Sequence, residues 1–93
     1  MVIDQELFSA LRLVQEDATA KRVFDLVCDR LGISGWALAK TLDQDPKQTE
    51  LSLRKLTEGG ILRTPDTGLE GNYSLTGLGF ALKEQLSARR FAR

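Results

Sequence analysis

The chain has no histidine, one cysteine and two prolines, and no excess of either charge, because 13 lysines and arginines balance 13 acids. The missing histidine removes the commonest metal ligand and the commonest general base. Carboxylates alone can support some chemistry, but no nucleophile, base and orienting group assemble from these residues. The expectation is a protein that is not an enzyme and carries no metal or other cofactor. Cys28 has no partner for an intramolecular disulfide, and its flanks Leu26, Val27 and Leu31 make it read as a small buried hydrophobe. No apolar run approaches ~20 residues, so no membrane span is expected. The segment MVIDQELF lacks the basic, then hydrophobic, layout of a secretion signal, and a cytoplasmic location is expected. Neutrality also matters, since proteins that sit on the phosphate backbone usually show a basic footprint.

What the sequence does have is pattern. Its 93 residues suit one domain with a single core, and 42% apolar with 28% charged residues is ordinary for a globular protein. The charge is unevenly placed. Residues 1–31 carry four basic and six acidic side chains, a net of −2; residues 46–63 carry four and two, a net of +2; residues 76–93 carry four and one, a net of +3.

The stretch 38–62, LAKTLDQDPKQTELSLRKLTEGGIL, reads as two short helices joined by a sharp turn. Leu38, Ala39 and Leu42 share one face of the first helix, 35–42. Asp45 stands where an N-cap belongs, and Pro46 fits the first position of the second helix, which needs no N–H there. Within 46–58, Thr49, Leu53 and Leu56 form an inward stripe. Lys47, Gln48, Leu51, Ser52, Arg54 and Lys55 are expected to point outward. Gly59-Gly60 stops the helix.

Around this unit, Ile3, Leu7, Leu11 and Val14, with Phe8 beside them, predict a helix over 4–16. Asp17 or Thr19 can cap a second helix over 20–31 whose inner face is Ala20, Val23, Phe24, Val27 and Leu31. Residues 32–34 could make a minimal strand, with Ser34 capping the helix that contains Trp36, which is expected to anchor the core. Residues 61–64 and 72–75 read as paired strands, and 65–71 as a loop rich in turn formers with no sequence reason to be rigid. Thr76 caps a last helix with Leu78, Leu82 and Leu86 on its buried side. Gly77 and Gly79 in its first turn suggest close packing.

The order of elements is mainly α with a small β-hairpin wing. LAKTL, LRKLTEGGIL and YSLTGLGFAL, the last similar to a Tyr-x-Leu-Thr-x-x-Gly pattern, together resemble the winged helix-turn-helix regulators of the MarR, ArsR and PadR kind over about three quarters of the chain. The resemblance implies a single domain over 1–93: an N-terminal dimerisation helix over 1–17, a winged helix-turn-helix over 18–75, and a C-terminal helix and basic tail over 76–93. It implies a transcriptional regulator, a repressor by expectation, that binds double-stranded DNA with the helix 46–58 in the major groove. The implied DNA contacts are Lys47, Gln48, Leu51, Ser52, Arg54 and Lys55 on that helix and Arg63 and Thr64 at the wing base. The implied homodimer would form through Ile3, Leu7, Phe8, Leu11 and Val14, with Leu82 and Leu86 of the last helix.

The sequence departs from that pattern in the middle of the outward face, where Leu51 stands beside Glu50, and in the wing, where Asp66 and Glu70 are unaccompanied by any basic residue from Thr64 to Leu75. A leucine can touch a thymine methyl. It suits a protein partner equally. The alternative is therefore a winged-helix module that binds protein through Leu51 and the wing.

Overall fold

The computed structural model describes the backbone of residues 2–30 and 32–91, and the side chains of 5–30 and 32–87. Its elements are α1 (Val2–Glu16), α2 (Ala18–Asp29), β1 (Ile33–Ser34), α3 (Gly35–Thr41), α4 (Pro46–Glu58), β2 (Leu62–Arg63), β3 (Asn72–Leu75) and α5 (Gly77–Phe91). Local signals place most boundaries. Asp17 caps α2 by accepting from the Ala20 N–H at 3.1 Å, Ser34 caps α3 through Ala37 N–H at 3.1 Å, and the Thr76 hydroxyl accepts from Gly79 N–H at 3.0 Å. Gly60 takes φ +77, the left-handed conformation that lets the chain leave α4.

The three strands form an antiparallel sheet in the order β1-β3-β2, with Ile33 opposite Tyr73, Leu62 opposite Leu75 and Arg63 opposite Ser74. β2 is shorter than the expected 61–64, and α2 begins two residues earlier than expected. The side chains of Ile3 and Leu31 and those of 88–93, which include the basic tail, lie outside the described residues.

α2 lies at the centre and packs against α1 and α4. Val23, Phe24 and Val27 of α2 meet Leu38 of α3, Leu53 and Leu56 of α4, Ile61, Leu62 and Leu75 of the sheet region, and Leu82 of α5 in one continuous core. At about 25 cal/mol per Å² of apolar surface removed from water, this cluster is the main favourable contribution to the fold. Cys28 is half-buried at its edge, and burial pushes the thiol up to about 11, so it stays protonated at neutral pH.

The structure corrects the readings of Trp36 and Gly77, and it orders the wing loop, for which the sequence offers no reason for rigidity. Trp36 is not a core anchor: it is 50% exposed, because the buried face of α3 is Gly35, Leu38 and Ala39, at i, i+3 and i+4, and Trp36 lies off it. The wing loop is not loose. Its carbonyls at Leu69 and Gly71 accept from Trp36 N–H and Gly35 N–H at 3.0 and 3.1 Å, and the Tyr73 hydroxyl donates to the Gly68 carbonyl at 2.7 Å. Finally, Gly79 does pack closely, against the Ile61 carbonyl, but Gly77 faces open space.

Candidate nucleic-acid interface

The helix-turn-helix is held by polar contacts at each joint. The Leu42 carbonyl at the end of α3 accepts from the Arg22 guanidinium of α2 at 3.0 Å. Asp43 then takes φ 52, a left-handed conformation that aspartate tolerates better than most residues. Asp45 accepts from Lys47 N–H at 3.2 Å, and Pro46 occupies the first turn of α4. The buried Thr49 hydroxyl lies 3.2 Å from the Asp45 carbonyl and 3.3 Å from Gln44 Oε1, which fixes the start of α4 against the turn.

The inner face of α4 is Thr49, Ser52, Leu53 and Leu56, a complete i, i+3, i+4, i+7 stripe. Ser52 is thus 3% exposed and cannot be an outward contact. Lys47, Gln48, Leu51, Arg54, Lys55 and Glu58 are exposed. Lys47, Leu51 and Lys55 lie in one row at i, i+4 and i+8, with Leu51 47% exposed. Among the described residues neither Lys47 nor Arg54 is ion-paired, whereas Lys55 Nζ lies 2.8 Å from Asp17 Oδ2. That hydrogen bond, then the one from Ala20 N–H, holds the Asp17 carboxyl below its usual range despite partial burial.

On the wing, Arg63 and Ser74 face each other across the β2–β3 ladder and line an open concavity of about 370 Å³ with Thr64 and Pro65. The Thr64 hydroxyl is committed to a local turn, bonded to the Asp66 carbonyl and accepting from Asp66 N–H at 3.2 Å. Beyond that turn the chain folds back onto α3, where Trp36 Nε1 donates to Glu70 Oε2 at 3.1 Å. Glu50, Arg54 and Thr57 of α4 face Thr67 and Tyr73 across a cleft of about 290 Å³. Burial, and secondarily the Glu50 charge, raises the Tyr73 hydroxyl above its ordinary pKa. Residues 43–75 as a whole carry four basic and six acidic side chains, a net of −2, so the positive strip on α4 is narrow.

Sequence reasoning missed Ser74, Trp36 and Asp17 as parts of this surface. The register of the ladder places Ser74 beside Arg63, and such a register follows from inside-outside alternation only once the strand pair is known. Nothing local marks the reach of Lys55 to Asp17.

On the terminal helices, Val14 and Leu82 are 2% and 0% exposed within the core of one subunit, so neither is open to a second copy as expected. Leu7, Leu11 and Leu86 are half-buried against the same core. Phe8 on α1 and Phe80 on α5 are exposed. No described helix is long and apolar enough to cross a membrane.

Two helices joined by a capped turn, the second followed by a hairpin and flanked by a third strand, define a winged helix-turn-helix fold. Two solved structures with a similar fold are a transcriptional regulator and a probable one. One is the PcaV transcriptional regulator from Streptomyces coelicolor in complex with its natural ligand, at TM-score 0.68 and 15% identity over 88% of this chain and 64% of that one. Another is a probable transcriptional regulator from Pseudomonas aeruginosa, at TM-score 0.65 and 17% identity over 96% of this chain and 74% of that one. The chain therefore spans just under two thirds of the length of PcaV. At these identities the likeness is one of fold. No family model matches the chain, and no curated protein matches it.

Proposed function

We propose that this chain is a DNA-binding transcriptional regulator of the cytoplasm, a repressor that occupies a two-fold operator as a homodimer with α4 in the major groove. The observation that carries this reading is the outward row of α4, where Lys47, Gln48, Leu51 and Arg54 stand exposed and the two cations have no ion-pair partner among the described residues. The first half of α4 leads into the groove. Gln48 meets an adenine edge, Lys47 a guanine or a phosphate, and Leu51 a thymine methyl. Arg54 and Arg63 flank the backbone, and Ser74 adds a hydroxyl beside Arg63. The acidic wing loop stays folded on α3 and makes no approach to phosphate.

Pairing two such subunits sets the half-sites roughly 34 Å apart and doubles the modest charge that each brings. Phe8 and Phe80, with the outer edges of Leu7, Leu11 and Leu86, supply the apolar surface for it.

A second reading has its own support: Leu51 is an exposed apolar side chain in a unit of net negative charge, which suits a protein partner. A salt titration against duplex DNA separates the two. Under the first reading, reversing Lys47 and Arg54 removes binding and flattens the salt slope. Under the second, Leu51→Ala does the damage and salt matters little.

A further inference from the structure

Asp17 is the single residue between α1 and α2, and its carboxylate serves two neighbours at once. Capping α2 requires only a side-chain oxygen within reach of Ala20 N–H, a task that asparagine or serine performs equally well. Holding Lys55 in an ion pair, at 2.8 Å, draws on the carboxylate's charge, which neither asparagine nor serine has. Lys55 belongs to the same exposed row as Lys47 and Leu51 and keeps 57% of its side chain open to solvent. A phosphate that approaches the outer side of α4 therefore meets one ammonium already occupied by a carboxylate of its own chain. Asp17 is 25% exposed and fixed by its capping bond, so it holds this position without needing Lys55. Lys47 and Arg54 have no such counter-ion among the described residues.

We propose that Asp17 competes with the DNA backbone for Lys55, and so holds the affinity of α4 for a duplex below what its cations would otherwise give. The proposal rests on the DNA-binding reading above. It makes the joint between α1 and α2 a tuning point: engagement of Lys55 by phosphate frees Asp17, and neutralising Asp17 frees Lys55.

The experiment is a fluorescence titration of a mixed-sequence DNA duplex with the full chain, at a low and a physiological salt concentration. It compares the native protein with Asp17→Asn, Asp17→Ser, Lys55→Met and the double variant Asp17→Asn with Lys55→Met. Asn and Ser both keep the helix cap, so two uncharged variants stand in for each other if one folds poorly. The expected result for Asp17→Asn is binding roughly two- to fivefold tighter at low salt, the range of an exposed ion pair. Its log–log salt slope should be steeper by about 0.9, one added phosphate contact. In the Lys55→Met background the same substitution should leave the slope unchanged, because no cation is released. Binding by the native chain with equal affinity and slope in Asp17→Asn and Asp17→Ser overturns the proposal and leaves the DNA reading intact. A slope change of equal size with and without Lys55 also overturns it, since that would be a general charge effect. Absence of binding by the native chain at both salt concentrations overturns the DNA reading and this proposal together.

Discussion

Asp17 accepts hydrogen bonds from Lys55 and from Ala20 N–H, and both favour its ionised form. Its folded pKa therefore lies below the usual 3.8. By linkage, the stability it contributes is complete above the unfolded value and is lost as pH falls through the folded one. Asp17→Asn keeps the cap and removes this dependence. Urea unfolding from pH 5 down to pH 2 should show the native protein losing stability relative to Asp17→Asn at the acid end, and parallel curves would contradict the account. Trp36 offers a second test at this scale. It is the only tryptophan and is 50% exposed, so its emission should be that of a solvated indole and open to iodide quenching. A blue-shifted, protected emission would place it in the core. The caps at Ser34, Asp45 and Thr76, and Asp17 as one of two candidates with Thr19, were legible in the sequence because capping is decided within four residues. Trp36 and Ser52 were not. The buried face of α3 runs through Gly35, Leu38 and Ala39 and not through its one large aromatic, and Ser52 shares its stripe with Thr49, Leu53 and Leu56, so hydrophobicity alone misplaces both.

Among the elements, the wing departs most from expectation. The sequence 65–71 offers turn formers and acids and no local reason for rigidity, but the bonds that fix it reach back to α3, from Glu70 to Trp36 and from Gly71 to Gly35. Nonlocal pairing of this kind leaves no local signature. The clasp depends on Gly35, where an added Cβ would lie 2.6 Å from the Leu69 Cα, too close to be relieved by a side-chain rotation. Gly35→Ala should cost about 1–3 kcal/mol, typical of overpacking, in thermal or chemical unfolding. It should also raise hydrogen exchange at the amides of Gly35, Trp36 and Gly71. Unaltered stability and exchange would mean that the loop is not held as described. By contrast, α4 was legible to its last residue, since Asp45-Pro46 and Gly59-Gly60 punctuate it at both ends and an inward stripe runs between them.

For the whole molecule, the fold was legible because caps, stripes and turn residues all agree on one arrangement. The surfaces were less so. Val14 and Leu82 belong to the stripe of their helices and were expected to serve a second subunit, but the core of one subunit uses them fully. Among the described residues, the exposed large apolar side chains on α1 and α5 are Phe8, 62% exposed, and Phe80, 45% exposed. Light scattering at micromolar concentration should therefore report a dimer for the native chain and a monomer for Phe8→Glu with Phe80→Glu, the latter with near-native circular dichroism. A monomeric native chain would remove the two-fold operator from the account. If the outward row of α4 is built for a DNA groove, as proposed, the salt dependence of duplex binding shows it without intermediate steps. Lys47→Glu with Arg54→Glu should lower affinity more than about tenfold and flatten the log–log slope by about 0.9 for each cation lost. Binding that survives this reversal with its slope intact, or that fails only when Leu51 is truncated, would contradict that reading of α4.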